Sequence, residues 1–319
     1  MELIREAGFQ TTMERVVEPG LAALREEIDM PLAEGGAMHV EVYAPQGAKR
    51  AVVILHGYTE SGEKFREMAW YFVQAGYCVF VPDHRGHGRS VRAVEDFSIT
   101  HVDRFGDYVR DLEALMDGVV LPRCGGLPLC LYAHSMGGAI GAMMLMAHPQ
   151  MFARAVLTAP MIAPSGAPFP GWAARMIAGV MCALGKGNER AFVGRPFDPE
   201  KETFERSFAT SRARFDYYQS KRVRMQHLQN CSPSYAWVRE AFGVTDVLLN
   251  REQTAKIQTP LLLCQARQDT VVLLPPQEEF VRQVRGAKLL AFNAKHEIYG
   301  SADDVMEPYV EAVLDFLGE

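Results

Sequence analysis

Residues 129–144 read LCLYAHSMGGAIGAMM, and few folds accept such a segment. An apolar run ends at His134-Ser135, and two glycines then open a stretch of small residues suited to a closely packed helix. Strand, tight turn and helix in that order push a serine Oγ out of a sharp, strained bend. The bend needs tiny residues two places before and two places after the serine. Gly137 and Gly138 meet the second demand, and Ala133 stands where the G-x-S-x-G pattern has glycine, adding one methyl group. The same turn starts a helix, so the N–H of Met136 and the positive end of the helix dipole face any oxyanion that develops beside Ser135. The competing explanation is a chance A-x-S-x-G in an Ala/Gly-rich helix start, and the strand–turn–helix context argues against it.

The surrounding sequence alternates short β-rich runs with helical stretches, the pattern of a mostly parallel sheet covered by helices on both faces. Strands are expected at 25–31, 38–45, 51–57, 77–83, 127–135, 154–160, 259–269 and 287–294, and helices at 64–75, 103–118, 136–147, 276–285 and 303–317. The first two strands lie close together around Gly35 and Gly36 and are expected to form an antiparallel hairpin. Continuous apolar runs such as AVVIL and PLLLC suit strands buried on both faces. One segment breaks the alternation: residues 161–255, entered through the Pro/Gly-rich APSGAPFPGW, look helical and contain no convincing strand. This is expected to be a helical cap inserted into a core formed by residues 1–160 and 256–319.

A serine nucleophile on such a sheet needs an acid and then a base, both following it in the chain. Asp269 closes TPLLLCQARQD, at the C-terminal edge of a buried strand, and His296 ends AKLLAFNAKH one helix and one strand later. A neutral imidazole at His296 would take the Ser135 proton while Asp269 holds its tautomer. Asp103, Asp107 and Asp111 precede the serine, Glu297 adjoins the histidine and His227 falls in the insertion; none of them ends a late strand. The second oxyanion donor is expected from the loop after AVVILHG, where the N–H of Tyr58 joins that of Met136. His56, and the Asp83, His84, Arg85 and His87 of DHRGHGRS, are read as loop scaffold rather than acids or bases.

With these residues in place, the chain resembles the serine hydrolases of the α/β-hydrolase fold that include lysophospholipase L2 and monoacylglycerol lipase. HGYTES, DHRGHGRS, AHSMGG, QARQD and AKHEI look like that family's blocks in the same order, from about residue 25 to 317. FATSRARF and PSYAWVREA look like cap signatures of the bacterial lysophospholipase L2 proteins, whereas YYQSKRVRMQHLQNCS between them matches poorly. The resemblance implies an α/β-hydrolase fold with an eight-stranded, mostly parallel sheet, no cofactor, no metal and a small lipid-like ester as substrate.

The insertion refines the expectation. Residues 165–240 hold twelve Lys/Arg against seven Asp/Glu in a chain of net charge −6. Such a basic stretch either receives an anionic headgroup or leans on a membrane surface, or it is a solvated helix face. GWAARMIAGVMCALG places Trp172, Met176, Ile177, Val180, Met181 and Leu184 on one helical stripe, suited to core packing or to an acyl channel. Candidate substrate contacts are Gly57, His134, Trp172, Met176, Arg212, Arg214, Tyr235 and Trp237. The overall negative charge argues against nucleic acid as a partner. The six cysteines lack CxxC or metal-ligand spacing, and Cys78, Cys130, Cys182 and Cys264 sit in apolar runs. With no apolar leader and no apolar run of spanning length, the chain is read as cytoplasmic, with peripheral membrane contact through the cap. The expected activity is hydrolysis of monoacyl lipid esters through an acyl-enzyme. The alternatives are an esterase, thioesterase or peptidase for small soluble substrates, or a non-catalytic binding module. The serine at the turn argues against dehalogenases and epoxide hydrolases, whose nucleophile is an aspartate.

Overall fold

The apolar runs fold as strands whose successive side chains point to opposite faces, and both faces are buried. The computed structural model describes residues 3–166 and 169–319. Its strands are β1 (Arg25–Pro31), β2 (Ala37–Tyr43), β3 (Arg50–Leu55), β4 (Tyr77–Pro82), β5 (Ile99–Thr100), β6 (Leu129–His134), β7 (Arg154–Thr158), β8 (Ser232–Pro233), β9 (Leu261–Ala266) and β10 (Lys288–Phe292). Eight form one sheet in the order β1-β2-β4-β3-β6-β7-β9-β10. Strand β2 runs antiparallel to β1 and β4, and the remaining neighbours pair in parallel. Ala51, Val53, Leu55, Leu129, Leu131, Leu261 and Leu263 enter the core on one face, with the helices Gly106–Leu115 and Met136–Ala147. Val52, Ile54, Cys130, Tyr132, Leu262 and Cys264 enter the other, with the helices Arg66–Gln74 and Asp303–Gly318. Each aliphatic side chain fully buried in this way contributes roughly 1.5–3 kcal/mol.

The chain leaves β3 for β4 on one side and then returns to place β6 on the other. At such a switch point, loops leave the carboxyl ends of adjacent strands in opposite directions and open a crevice. Tyr58 follows β3 and Ser135 follows β6, so both stand at that crevice.

Several details differ from the sequence-based expectation. Strand β3 ends at Leu55, leaving His56 and Gly57 in the loop, and β9 ends three residues before Asp269. The inserted segment between β7 and β9 carries the helices Gly171–Ala183, Arg212–Arg224 and Tyr235–Leu248, but also β8, which pairs in parallel with β5. Cys124 is buried and Cys182 only partly so; all six cysteines are free thiols. Residues 9–22, to which the sequence reading assigned no element, form a helical stretch with Phe9, Met13, Val17 and Leu21 buried. Their strict four-residue spacing exceeds the 3.6-residue period of an α-helix. The wider π-helical turn Met13–Val17 lets the stripe keep one side.

Arg214 ties this N-terminal stretch to the insertion. Its guanidinium donates to Glu67 at 2.8 and 2.9 Å, to Asp303 at 3.2 Å, and to the carbonyls of Ile4 and Ser301 at 2.8 and 3.1 Å. The side chain is only 5% exposed. These partners use its planar fork, so Arg214 is a structural pin and not an open receptor for a headgroup. Arg214→Ala would leave the Glu67 carboxylate buried without its cation. The variant is expected to lose about 3–5 kcal/mol in urea unfolding. A loss below 1 kcal/mol would show that the pin is dispensable.

Candidate active site

The turn after β6 holds Ser135 at φ 52°, ψ −115°, a conformation that side chains rarely adopt. Its N–H donates to the Thr158 carbonyl at 3.1 Å, and its carbonyl accepts from Met161 N–H at 2.9 Å, which binds the turn to the end of β7. Gly137 is required by contact: a Cβ there would lie 2.4 Å from the Leu55 carbonyl oxygen and 2.6 Å from that of His56. A Cβ on Gly138 would lie 2.7 Å from Pro160 Cβ. The methyl of Ala133 finds room beside Gly141, where a Cβ would lie 3.4 Å from it. Met136 is the first residue of the following helix, so its N–H has no acceptor within that helix.

The loops after β9 and β10 are stitched together by Arg267 N–H to Phe292 O and Gln268 N–H to Ala294 O, both at 2.9 Å. That extension of the parallel ladder sets Asp269 beside His296. His296 Nδ1 lies 2.6 Å from Asp269 Oδ2, and His296 Nε2 lies 2.8 Å from Ser135 Oγ. The other carboxylate oxygen of Asp269 accepts from Val271 N–H at 2.8 Å and Val272 N–H at 3.0 Å. Burial alone would raise the Asp269 pKa, but the bond and charge of His296 and these two N–H groups hold it below the usual value. An ionised Asp269 keeps the proton on Nδ1, so Nε2 accepts from the serine hydroxyl. This geometry suits proton withdrawal from Ser135 followed by attack of its oxygen on an acyl carbon.

Glu297, the rival acid, instead accepts from Lys64 Nζ at 2.6 Å. Asp111 and Asp107 flank Arg85, with Asp111 at 2.6 Å. His227 lies in a separate small pocket with His39 and Glu41. His56, His84 and His87 pack against one another, and burial lowers the pKa of each. His56 Nε2 accepts from the His84 N–H at 2.9 Å, and Asp83 accepts from Gly62 and Arg89 N–H, so the DHRGHGRS loop serves as a scaffold. Among the described residues, Glu27, His39 and Glu41 could together face a cation. Arg25, Arg66 and Arg89 already pair with those carboxylates.

Ser135 and His296 open into a cavity of about 670 Å³. Tyr58 and His134 line it. His134 is buried 4.8 Å from the His296 ring, and its pKa is pushed down to about 3, chiefly by burial, so it stays neutral. Arg214 lines it too, with its guanidinium committed to the bonds described above, and the other expected contacts lie elsewhere. Gly57 sits beneath the serine, where a Cβ would lie 3.0 Å from Ser135 Cβ, and its N–H is taken by Glu60 at 2.7 Å. Trp237 is buried behind the wall, stacked on Tyr58 at 4.1 Å, and Tyr235 packs near Phe192. Neither lines the cavity. Arg212 is exposed and pairs with Glu205 and Asp216. Trp172 and Met176 point to solvent, 71% and 57% exposed, because Ala174 and Ala178 form the buried face of their helix.

Sequence reasoning missed the polar group next to His134. Glu60 accepts from Gly57 N–H, Lys64 and Tyr299, and burial is outweighed by Lys64 and these bonds, which bring its pKa to about 2. The i, i+4 spacing of Glu60 and Lys64 was the available signal. Phe9, Met13, Met68, Phe208 and Phe215 supply apolar lining from three separate regions of the chain.

The model of the serine aminopeptidase S33 family, Hydrolase_4, matches residues 46–301. Lysophospholipase L2 of Escherichia coli K12 is 33% identical over 291 residues, covering 86% of this chain and 82% of that protein. Human monoglyceride lipase is 31% identical over 134 residues, 41% of each chain. A soluble variant of the Saccharomyces cerevisiae monoglyceride lipase shares the fold, with a TM-score of 0.70 at 18% identity, over 92% of this chain and 96% of that one.

Asp269→Asn is expected to preserve the fold and depress kcat on p-nitrophenyl esters on the order of 10⁴-fold by stabilising the wrong imidazole tautomer. Glu297→Gln should have a far smaller effect. The opposite ranking in steady-state kinetics would move the acid to Glu297.

Proposed function

Since the chain belongs to the serine aminopeptidase S33 family (Hydrolase_4), and is a serine hydrolase, we propose that it cleaves the carboxylic ester of monoacyl lipids, lysophospholipids or monoacylglycerols. The observation that carries this reading is the Ser135–His296–Asp269 hydrogen-bonded chain opening into a large cavity with apolar lining. Such a cavity has room for an acyl chain, and flexible Met13 and Met68 suit a floppy one.

In this mechanism His296 removes the Ser135 proton as the oxygen attacks the acyl carbon. The N–H groups of Tyr58 and Met136 hold the developing oxyanion. His296 then protonates the departing alcohol, and an acyl-enzyme remains on Ser135. Water activated by the same imidazole releases the fatty acid and restores the serine. Residues 161–255 act as the cap over this chemistry.

The cap also provides the membrane contact. Trp172, Met176, Val180 and Leu184 recur every four residues along the helix Gly171–Ala183 and its end, and all are exposed. An apolar stripe of this kind suits burial at a bilayer interface from which a lipid substrate is drawn. Among the described residues no helix is long and apolar enough to cross a membrane.

A panel of lysophospholipids, monoacylglycerols and short p-nitrophenyl esters tests the substrate class. Higher kcat/KM for the long-chain lipids than for the short esters is expected, and preference for short soluble esters would overturn the lipid reading. A Trp172→Ser, Met176→Ser double variant should lose sedimentation with phosphatidylglycerol vesicles while retaining turnover of p-nitrophenyl butyrate. Unchanged sedimentation would remove the stripe from membrane contact.

A further inference from the structure

One wall of the cavity belongs to the inserted segment, and its charges are unevenly matched. Arg195 and Arg222 share a single carboxylate: Arg195 Nη2 lies 2.5 Å from one oxygen of Glu202, and Arg222 Nη1 lies 3.2 Å from the other. Two guanidiniums on one carboxylate leave a net positive charge. Arg222 uses its other two nitrogens on the carbonyls of Leu228 and Asn230, at 3.1 and 2.8 Å. Arg195 does not: its Nη1 is buried without a hydrogen-bond partner among the described residues. Both amide atoms of Gln219, on the helix Arg212–Arg224, are likewise buried and unpartnered. Arg195, Glu202, Gln219 and Arg222 line the same cavity as Ser135 and His296.

Unmatched buried donors are destabilising, and native structures rarely keep them without a reason. Here a guanidinium N–H, an amide N–H and a surplus positive charge lie in one cavity wall. An anion with several acceptor oxygens answers all three, and guanidinium recognises phosphate oxygens through charge-assisted bonds. We propose that Arg195 and Gln219, with Arg222 held in support, form a subsite for the phosphodiester of a lysophospholipid headgroup. The proposal rests on the monoacyl-lipid reading and sharpens it: the charged headgroup is met by these residues, whereas Arg212 and Arg214 are engaged in ion pairs of their own. A neutral monoacylglycerol has no group for the site to hold, so the subsite sets preference between the two substrate classes.

The experiment compares wild type, Arg195→Ala and Gln219→Leu on lysophosphatidylglycerol and on the monoacylglycerol with the same acyl chain. Urea unfolding verifies that each variant is folded. Arg195→Ala is expected to lower the ratio of kcat/KM for the phospholipid to that for the monoacylglycerol by roughly tenfold or more, mainly through KM. Gln219→Leu should move the ratio the same way by less, and it decides the matter if the arginine variant fails to fold. A second arm reads competition against p-nitrophenyl butyrate: sn-glycerol 3-phosphate should inhibit wild type and lose that effect in the variants. An unchanged ratio in both variants overturns the proposal. Inhibition by inorganic phosphate without a change in the ratio assigns the site to free phosphate and overturns it as a headgroup site. Wild-type turnover of p-nitrophenyl butyrate with neither lipid hydrolysed would defeat the lipid reading alone, and the glycerol 3-phosphate arm then decides whether the phosphate site stands.

Discussion

Holding one serine backbone in a left-handed conformation at the end of β6 is a demand that propagates through the molecule. Residues in such regions cost of order 1–3 kcal/mol and persist only where their surroundings over-determine them. At Ser135 the restraint comes from both neighbours. The end of β7 and the loop after it grip the peptide through Thr158 and Met161, while Gly137 lets the new helix press against the carbonyls of Leu55 and His56 at the end of β3. The strained turn therefore depends on the central strands, and those strands keep their positions through the apolar packing on both faces of the sheet. In return, the hydroxyl stands clear of the sheet, within 2.8 Å of an imidazole carried by a loop 161 residues later.

The electrostatics divide into buried networks with different tasks. Asp269 stays ionised against its burial because three donors converge on it, and that fixed charge sets the His296 tautomer. His134, equally buried and next to His296, is held neutral because burial outweighs the Glu60 carboxylate 3.8 Å away, so it adds shape without competing for the proton. The inserted segment uses the same physics structurally. The Arg214–Glu67 pair anchors the inserted helix to the core, and removing one partner would strand the other in a medium that solvates charge poorly.

Much of the fold and of the candidate site's geometry could be read directly from sequence. Short β-rich runs located all eight strands of the main sheet, and the continuous apolar ones, such as AVVIL and PLLLC, form strands buried on both faces. The turn around Ser135 and the strand-end positions of Asp269 and His296 followed from local pattern and chain order, and the structure brings the three together. The cavity wall was far less legible. Trp172 and Met176 form a helical stripe in sequence, but a stripe does not say which face turns inward, and here the alanines Ala174 and Ala178 pack while the large residues face water. Arg212 and Arg214 looked like one basic cluster, yet two positions apart on a helix they diverge, one to solvent and one into a buried ion pair. Phe9 and Met13 enter the cavity from a terminal segment whose contact with it depends wholly on tertiary packing.

The central claim is that Ser135 carries the acyl group during turnover. The most direct test is rapid acid quench of the enzyme mixed with a palmitoyl lysophospholipid, followed by intact-mass and peptide mass spectrometry. The account predicts one palmitoyl adduct, on the peptide spanning LCLYAHSMGG, absent from Ser135→Ala. A palmitoyl adduct on any other residue, or steady turnover by Ser135→Ala with no adduct at all, would contradict it.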